Sequence, residues 1–423
     1  MLRNDLNKLK LLRSDALFIV QKAIESTLPD EAVEAALKDF HAEGKIVLVA
    51  IGKAAWRMAL AAKKVLGSRM EDGIVITKYD HSQGDFEGLE IWEAGHPVPD
   101  ENSIKSTTRT LEKVKGLSQK DVVLLLVSGG GSALFEKPLP GVSLKDLTTI
   151  YDRLLKSGAD IVEMNTIRKH LSSVKGGRFA QLIHPAKVYT LALSDVLGDH
   201  LDTIASGPAY PDSSTSEQAL EIIRKYDLSI NDNIKEMLKI ETPKNLDNVE
   251  AKIIGSVKQV CNNAALIARE KGYTPLILTT TLDCEAKHAG KFIASIAREI
   301  KSFKSPMNPP CAIIIGGETV VNVQGDGTGG RNQELVLSAA SGISDLENIV
   351  VISVGTDGTD GPIDAAGGMV DCTTCKRIQE EGIDIYKELK NNNSYYILDK
   401  VGDLIKTGPT GTNVNDLTIL LIN

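Results

Sequence analysis

Three cations at glycine-rich turns are the residues of this 423-residue chain best placed to do chemistry. Lys53 follows Gly52 after an apolar run, Arg178 and Arg331 each follow a pair of glycines, and a helical pattern begins at all three points. A cation at the positive end of a helix dipole costs about 0.3–1 kcal/mol unless an anion lies between the two. The three turns therefore predict a pocket for phosphate or carboxylate groups.

A fourth turn is rich in glycine but carries no charge. It follows the apolar run 122–127 and has the sequence SGGGS, which comprises Ser128, Gly129, Gly130, Gly131 and Ser132. Consecutive glycines have no Cβ atoms, so the oxygens of an anion can approach the backbone N–H groups closely. This turn predicts a backbone cradle for phosphate.

Neither of the common nucleotide-binding loops accounts for these turns. Gly52-Lys53 is followed by Ala54 rather than by Ser or Thr, and it lacks the earlier glycine of a Walker A loop. A G-x-G-x-x-G pattern occurs at residues 325–330, before a helical pattern. The run before it is expected to form half of a hairpin rather than the first strand of a βαβ unit, so it is a weak sign of a dinucleotide.

Acidic residues follow two further apolar runs. They are Asp195 and Asp199 after the first run, and Asp357, Asp360, Asp364 and Asp371 after the second. Carboxylates repel a neighbouring anion unless a hard cation separates them, and Mg²⁺ typically takes one or two carboxylates together with substrate phosphates. We expect Asp195 and Asp357 to bind such a metal, with Asp360 a weaker candidate, and Asp364 and Asp371 to cap turns and helices. Together with the cradle and the cations, they form the parts that phosphoryl transfer needs.

The elements that position these residues alternate between strands and helices. Short apolar runs lie at 45–52, 73–78, 89–95, 121–129 and 187–195, and again at 251–256, 274–280, 311–317, 348–355 and 416–422. Continuous runs of this kind, separated by helix-length segments, are typical of strands buried on both faces of a largely parallel α/β sheet.

A charged stretch with a weaker pattern, residues 226–250, separates the two series and predicts a linker. We therefore expect two three-layer α/β domains, at 1–240 and 241–423, the first with a largely parallel, Rossmann-like sheet. The segment IGGETVVNV predicts two strands around a tight turn, which would make the second sheet mixed. Two amphipathic helices are expected over residues 5–40, and either domain could carry them.

The composition excludes several classes of partner. With 48 basic and 56 acidic residues the net charge is −8, and only 4% of residues are aromatic, so we expect no nucleic acid and no membrane partner. No apolar run approaches the roughly 20 residues of a membrane helix. The five cysteines are odd in number and scattered, which is typical of a reduced cytoplasmic protein. The sequence leaves a monomer and a homodimer open.

A series of longer motifs runs in order along nearly the whole chain from about residue 45. They are HPVPDENS, LLVSGGGSALF, RKHLSSVKGGR, LALSDVLGDHLDTIASGPAYPD, GGETVVNV, GGRNQEL, GTDGTDGPIDAAG and TGPTGTNVNDL. Together they resemble the glycerate 2-kinase family that carries the MOFRL domain, here at about 311–423. The resemblance implies ATP-dependent phosphorylation of D-glycerate at its 2-hydroxyl, with the active site in the cleft between two α/β domains.

The resemblance also implies roles for individual residues. Lys53 and Arg331 match the positions regarded as catalytic in that family, and they belong to different predicted domains, so domain closure would assemble the site and exclude water. Both would neutralise charge that develops on the transferred group.

Further roles are hypotheses built on this resemblance. The SGGGS turn would hold the ATP phosphates, which Mg²⁺ bound to Asp195 and Asp357 would bridge. Arg178 and Lys169 are candidates for the glycerate carboxylate, with arginine favoured for its two-pronged geometry. Asp195 could instead orient the 2-hydroxyl, and the sequence leaves that choice open.

Two alternative functions remain open at this point. An NAD(P)H-dependent hydroxypyruvate reductase is indicated by the G-x-G-x-x-G pattern at 325–330, but only His96 and His170 lie in promising loops for a catalytic histidine, and neither has an evident carboxylate partner. A non-catalytic protein that binds sugar phosphates would also use glycine turns, but it leaves the pairing of Lys53 with Arg331 unexplained.

Overall fold

The computed structural model describes residues 3–196, 198, 200–361 and 363–423. The chain divides into two compact units, a first unit of Pro29–Ile254 and a second unit of Met1–Leu28 with Gly255–Asn423. This division differs from the predicted boundary at 240/241 at both ends of the first unit. The difference at the C-terminal end arises because residues after 241 continue into the last strand of the first sheet.

The strands and helices follow the predicted alternation closely. The strands are β1 (Ile46–Ile51), β2 (Met70–Lys78), β3 (Leu89–Ala94), β4 (Val122–Val127), β5 (Lys187–Leu193), β6 (Val249–Gly255), β7 (Thr274–Leu282), β8 (Cys311–Gly317), β9 (Ile349–Gly355), β10 (Gly367–Asp371), β11 (Leu404–Ile405) and β12 (Asp416–Ile422). The helices are α1 (Arg3–Glu25), α2 (Pro29–Leu37), α3 (Ala55–Leu66), α4 (Glu101–Lys113), α5 (Gly131–Leu134), α6 (Leu144–Lys156), α7 (Ile161–Leu171), α8 (Arg178–Ile183), α9 (Ser216–Lys225), α10 (Asp232–Leu238), α11 (Val257–Glu270), α12 (Ala286–Phe303), α13 (Arg331–Ile343), α14 (Thr374–Glu380), α15 (Ile385–Lys390) and α16 (Ser394–Lys400).

The first unit contains a sheet with the strand order β3-β2-β1-β4-β5-β6. Strands β1 to β5 pair in parallel, and every residue of β1 and β4 is buried, which confirms the predicted α/β sheet with strands covered on both faces. The order is that of Rossmann folds, in which successive strands are added to one side of β1 up to β3 and then, from β4 onward, to its other side. Ligands of such sheets bind in the crevice at the carboxyl ends of these two strands.

The helices of the first unit begin where their sequences supply a cap. The side chains of Asp100, Ser143, Asp160 and Thr215 each accept a hydrogen bond from the third residue of α4, α6, α7 and α9, and each forms a reciprocal capping box. Such caps satisfy backbone donors that a helix start leaves free.

The second unit contains a mixed sheet with the order β11-β10-β9-β12-β8-β7. Among the described strands of this second sheet, only β7 and β8 pair in parallel, and the final strand β12 lies antiparallel between β8 and β9. The prediction of a mixed sheet is confirmed, but the predicted hairpin is wrong. Val320 makes only an isolated bridge to Glu285, and the amides of Gln324 and Gly325 donate to the Asn392 side chain instead of to a strand.

Helix α1 belongs to the second unit, whereas α2 belongs to the first. The buried stripe of α1 packs in one core with α11 and one face of the mixed sheet, and it consists of Leu9, Leu12, Ala16, Ile19, Val20, Ala23 and Ile24. Arg13 adds ion pairs to Asp371 and to Asp403, the latter at 2.9 Å. Within the described residues, no helix is long and apolar enough to cross a membrane.

Candidate active site

The loops that follow β1 and β4 are interlocked at the switch point of the first sheet. The Lys53 amide donates to the Gly129 carbonyl at 2.9 Å, and the Ser128 hydroxyl accepts from the Ala54 amide at 3.1 Å. Gly52 has φ +119°, and a Cβ there would lie 2.2 Å from the Ser128 Oγ. Two turns that the sequence predicted separately therefore form one structure, and only glycine fits at position 52.

The SGGGS turn has the geometry of a backbone cradle. Gly130 has φ +88°, and a Cβ on it would lie 3.1 Å from the His96 Cδ2 and 3.4 Å from the Lys53 Cγ. In the part of the chain that the structure describes, the amides of Gly129 and Gly130 donate to no acceptor. The side chains of His96 and Lys53 thus flank a turn whose N–H groups are available to a ligand.

Positive charge accumulates around this turn. The pKa of His96 falls to about 4 because of burial and because of the charges of Lys53 and Lys78, so its imidazole is neutral at neutral pH. His81 lies in the same group, with its Nδ1 at 3.3 Å from the Lys53 carbonyl oxygen. Neither Lys53 nor Lys78 forms an ion pair within the described residues. An anion placed here would meet two uncompensated ammonium groups and a neutral imidazole.

A second set of contacts holds the far side of the turn. The hydroxyls of Ser132 and Ser206 lie 3.0 Å apart, and the Ser206 hydroxyl donates to the Asn165 Oδ1 at 3.2 Å. Ala205 and Ser206 have φ +51° and +60°, which costs a residue with a side chain on the order of 1–3 kcal/mol. A Cβ on Gly131 would lie 2.7 Å from the Ala205 Cβ. Strained backbone is therefore packed directly against the cradle.

Lys169 and Arg178 both lie in the first unit, where each has partners within the protein. Lys169 is 3% exposed, and its ammonium lies 3.0 Å from Asp212 and 3.3 Å from Asp202. Burial alone would raise the pKa of Asp212, but Lys169 and nearby hydrogen-bond donors hold it below its usual value. The Arg178 guanidinium donates to the Ser172 carbonyl at 3.0 Å. These contacts anchor loops, and the role of both residues in substrate binding stays a prediction.

Arg331 begins α13 in the second unit and is held by two carboxylates. Its Nε and Nη2 donate to the two oxygens of Asp416 at 2.6 and 3.0 Å, and its Nη1 donates to Glu318 at 2.8 Å. Asp416 begins β12 and Glu318 follows β8, so the antiparallel register of these strands brings both to the guanidinium. Burial lowers the pKa of Arg331, but the hydrogen bonds to Asp416 and the negative charges of Asp416, Glu318 and Asp360 together raise it above its usual value, so the arginine stays charged.

The candidate metal ligands are distributed over both units. Asp195 follows β5 in the first unit and is partly exposed, whereas Asp357 follows β9 in the second and accepts from the Thr359 amide and hydroxyl, both at 2.9 Å. Asp360 caps α13 by accepting from the Asn332 and Gln333 amides at 3.0 and 2.9 Å. The described residues contain no cluster of three or more His, Cys, Asp or Glu side chains suited to a metal. Asp199 lies outside the described residues.

Sequence reasoning missed several residues of this site. Lys78, His81, Ser206 and Asn165 were not predicted, and His96 was considered only as a catalytic histidine. Lys78 and His81 could have been found, because Lys78 ends β2 and His81 follows it at the same edge of the sheet as Lys53. Ser206 and Asn165 carried no such signal.

The fold and the site together define an α/β enzyme of two units, in which the first unit has the geometry for binding an anion at the switch point of a Rossmann-ordered sheet. Two family models match the chain: a domain of unknown function, DUF4147, over residues 15–239, and the MOFRL family over residues 311–416. The D-glycerate 2-kinase of Thermotoga maritima is 57% identical over 411 residues, which cover 97% of this chain and 98% of that one. The chain therefore belongs to the glycerate 2-kinase family, as its motifs predicted.

Two further comparisons extend this result. The crystal structure of glycerate kinase from Thermotoga maritima matches with a TM-score of 0.95 at 56% identity, over 98% of this chain and 100% of that one. A putative hydroxypyruvate reductase from Agrobacterium vitis is 39% identical over 384 residues, which cover 90% of this chain and 100% of that protein. The two-unit α/β fold is thus confirmed, and relatives carry both names that the sequence left in competition.

Proposed function

We propose that this chain transfers the γ-phosphate of ATP to the 2-hydroxyl of D-glycerate, which gives 2-phosphoglycerate and ADP. The observation that carries the proposal is the interlocked pair of loops at the switch point, where Lys53 flanks a glycine turn with available N–H groups. The relationship to the Thermotoga maritima D-glycerate 2-kinase supplies the reaction.

The SGGGS turn fits the phosphate groups of a nucleotide. The backbone at Gly130 is in the left-handed region, and a side chain there would crowd His96 and Lys53 at the place where phosphate oxygens would lie. The amides of Gly129 and Gly130 can donate to these oxygens, as at other glycine-rich phosphate sites. Lys53 and Lys78 add the charge that such a ligand needs.

Lys53 is proposed to stabilise the negative charge that builds up on the transferred phosphoryl group. Its backbone is held by the hydrogen bond from its amide to the Gly129 carbonyl, so its side chain extends from a fixed point beside the turn. His96 is neutral beside it and can donate or accept one hydrogen bond to the ligand without adding to the repulsion between cations.

Arg331 is proposed as the second cation of the reaction. Asp416 holds its Nε and Nη2, which fixes the plane of the guanidinium. The remaining partner, Glu318, is 46% exposed, so its contact with Nη1 can be exchanged for a phosphate oxygen. The arginine would thus keep its orientation while it binds the ligand.

Mg²⁺ would be held by Asp195 and Asp357, and substrate phosphates and water would be its remaining ligands. The described residues contain no larger cluster of metal-binding side chains. When bound, the metal would supply positive charge to the phosphate oxygens. Asp195 remains the alternative for orienting the 2-hydroxyl. Arg178 and Lys169 could meet the glycerate carboxylate only if they gave up buried partners that they now hold.

Hydroxypyruvate reduction is the second candidate, favoured by the name of the Agrobacterium vitis relative. Its sequence support, the G-x-G-x-x-G at 325–330, is weakened because no described strand directly precedes it. Gly325 and Gly327 instead pack on the backbone of Asn391 at distances that leave no room for side chains. Those glycines are explained by packing rather than by a pyrophosphate.

The test is an assay of the purified chain with ATP, Mg²⁺ and D-glycerate, in which ADP is measured and the product isomer is identified. NADH oxidation with hydroxypyruvate is followed in parallel. The proposal expects glycerate-dependent ADP with 2-phosphoglycerate as the product. Phosphorylation at the 3-hydroxyl would keep a kinase but overturn the assigned position, and NADH oxidation without ADP would overturn the kinase. Omission of Mg²⁺ tests the metal, and size-exclusion chromatography distinguishes a monomer from a homodimer.

A further inference from the structure

A groove on the second unit is lined by residues that are not part of the candidate active site. It has a volume of about 550 Å³ and is formed by α12, α13, α15 and the loop before α13. The residues on which the argument rests are Lys287, Lys291, Arg298, Gln324, Tyr386 and Lys390. No acidic side chain lines it, although the whole chain carries a net charge of −8.

Small residues bring the walls of this groove together. A Cβ on Gly290 of α12 would lie 2.2 Å from the Leu335 carbonyl oxygen of α13, so the two helices pack nearly backbone to backbone. A Cβ on Gly342 of α13 would lie 2.8 Å from the Arg298 Nη1, so glycine at that position leaves room for the guanidinium. Arg298 fills that space and donates to the Gly342 carbonyl at 3.0 Å.

The cations of the groove are largely uncompensated. Lys287 pairs with Glu285 at 2.5 Å, but Lys291 and Lys390 have no ion pair or hydrogen bond among the described residues. Glu334 contacts the groove residue Asn392, but it is buried and that burial raises its pKa. Three cations on one concave surface repel one another, and this repulsion is relieved when an anion lies between them.

Neutral groups complete the surface. The side chains of Gln324 and Tyr386 make no hydrogen bond within the described residues, and Tyr386 is 70% exposed beside Leu389. An aromatic ring and an aliphatic side chain next to three cations can accept a ligand that carries both a phosphate and an organic part.

We propose that this groove binds a small phosphorylated metabolite, with its phosphate at Lys291, Arg298 and Lys390 and its organic part on Tyr386. The groove is distinct from the position of Arg331. Ser338 and Gly342, which line it, follow Arg331 by 7 and 11 residues in the same helix. At 1.5 Å per residue they lie about 10 and 16 Å further along the axis.

The test uses Tyr386→Trp in the full chain as a reporter. The chain's two tryptophans, Trp56 and Trp92, both belong to the first unit, so a titration of the parent chain supplies the correction for them. The probes are pyrophosphate, which has no organic part, and ADP, which has one. The proposal expects a saturable fluorescence change with ADP, and tighter binding of ADP than of pyrophosphate. Equal affinities would overturn the contact between Tyr386 and the organic part.

Two double variants test whether the fluorescence change depends on the lysines of the groove. In the reporter chain, Lys291→Ala with Lys390→Ala should weaken the binding of both probes about ten-fold or more, because two charges that contact phosphate are lost. Lys258→Ala with Lys376→Ala, two exposed lysines on α11 and α14 of the same unit, should leave the affinity unchanged. No saturable signal with either probe, or equal affinity in both variant pairs, would overturn the site.

Discussion

The site at Lys53 in the first unit and the site at Arg331 in the second unit hold their positive charges in opposite ways. In the first unit, Lys53 and Lys78 have no ion pair among the described residues, and they stand beside a turn that offers backbone N–H groups. In the second unit, Arg331 is held by Asp416 and faces Glu318, so its charge is more than balanced by the protein itself. The site at Lys53 can attract an anion without a change in its contacts, whereas Arg331 must exchange its contact with Glu318 for the anion.

This difference follows from the chemistry of the two side chains. A lysine ammonium is a compact point charge on a flexible stem, and the hydrogen bond from the Lys53 amide to the Gly129 carbonyl fixes the backbone from which that stem extends. An arginine has donors on several edges, so Asp416 can bind one edge and leave another for a ligand. One site is therefore positioned by its backbone and the other by a carboxylate.

The largest expected effect tests whether the two cations act on the same reaction step. Lys53→Ala and Arg331→Ala should each lower kcat by about 10²–10³-fold, the loss typical when one donor to a developing charge is removed. We predict that the double variant loses much less than the product of the two single losses, because residues that act as a unit are not additive. Steady-state kinetics of the four chains provides the measurement.

Lys63→Ala is the matched control for this experiment, since Lys63 lies in the last turn of the helix that follows Lys53. It should leave kcat unchanged, and thermal unfolding should show that all variants are folded. A variant with parental kcat would remove that residue from the reaction. If the loss of kcat in the double variant equals the product of the two single losses, the two cations stabilise different steps.

A smaller effect tests the cradle through its backbone. Gly130→Ala introduces a Cβ at φ +88°, next to His96 and Lys53, whereas Gly272→Ala introduces one at φ +92° with no atom within 4 Å. Both should destabilise the fold by about 1–2 kcal/mol, the cost of the left-handed conformation. Only Gly130→Ala should also raise the KM for ATP, by about ten-fold. Equal KM values in the two variants would mean that phosphate does not approach Gly130.

Much of this architecture could be predicted because the strands are buried on both faces. Fully apolar runs such as 46–51 and 122–127 admit few other interpretations, and the turns that end them had to lie at one edge of the sheet. Lys53 and the SGGGS turn are neighbours because the strands before them, β1 and β4, end side by side at this edge. The short strands β10 and β11 were not predicted, because β10 begins with two glycines and β11 has only two residues.

Residues whose partners are distant in sequence could not be predicted in the same way. Lys169 carried the appearance of a free cation, yet its partner Asp212 lies 43 positions further on and neutralises it in the buried state. Likewise, the hairpin expected after β8 fails because β7 and β12 already occupy both edges of that strand. In both cases the structure is decided by contacts between residues that are distant in the sequence, and a local sequence pattern does not show such contacts.

The smallest effect tests how the carboxylates hold Arg331. Burial raises the pKa of Asp416 to about 6 even though Arg331 opposes the shift, so protonation stabilises the folded state relative to the unfolded chain as the pH falls from about 6 towards 4. The proton also weakens the hold on Arg331, and we predict that kcat declines below about pH 6.

Asp416→Asn should lower kcat about ten-fold at neutral pH and abolish this decline. Glu318→Gln, at the exposed contact, should change kcat less than about three-fold and keep the decline, because exposed ion pairs contribute little. If Glu318→Gln abolished the decline and Asp416→Asn kept it, the exposed carboxylate would be the one that positions Arg331.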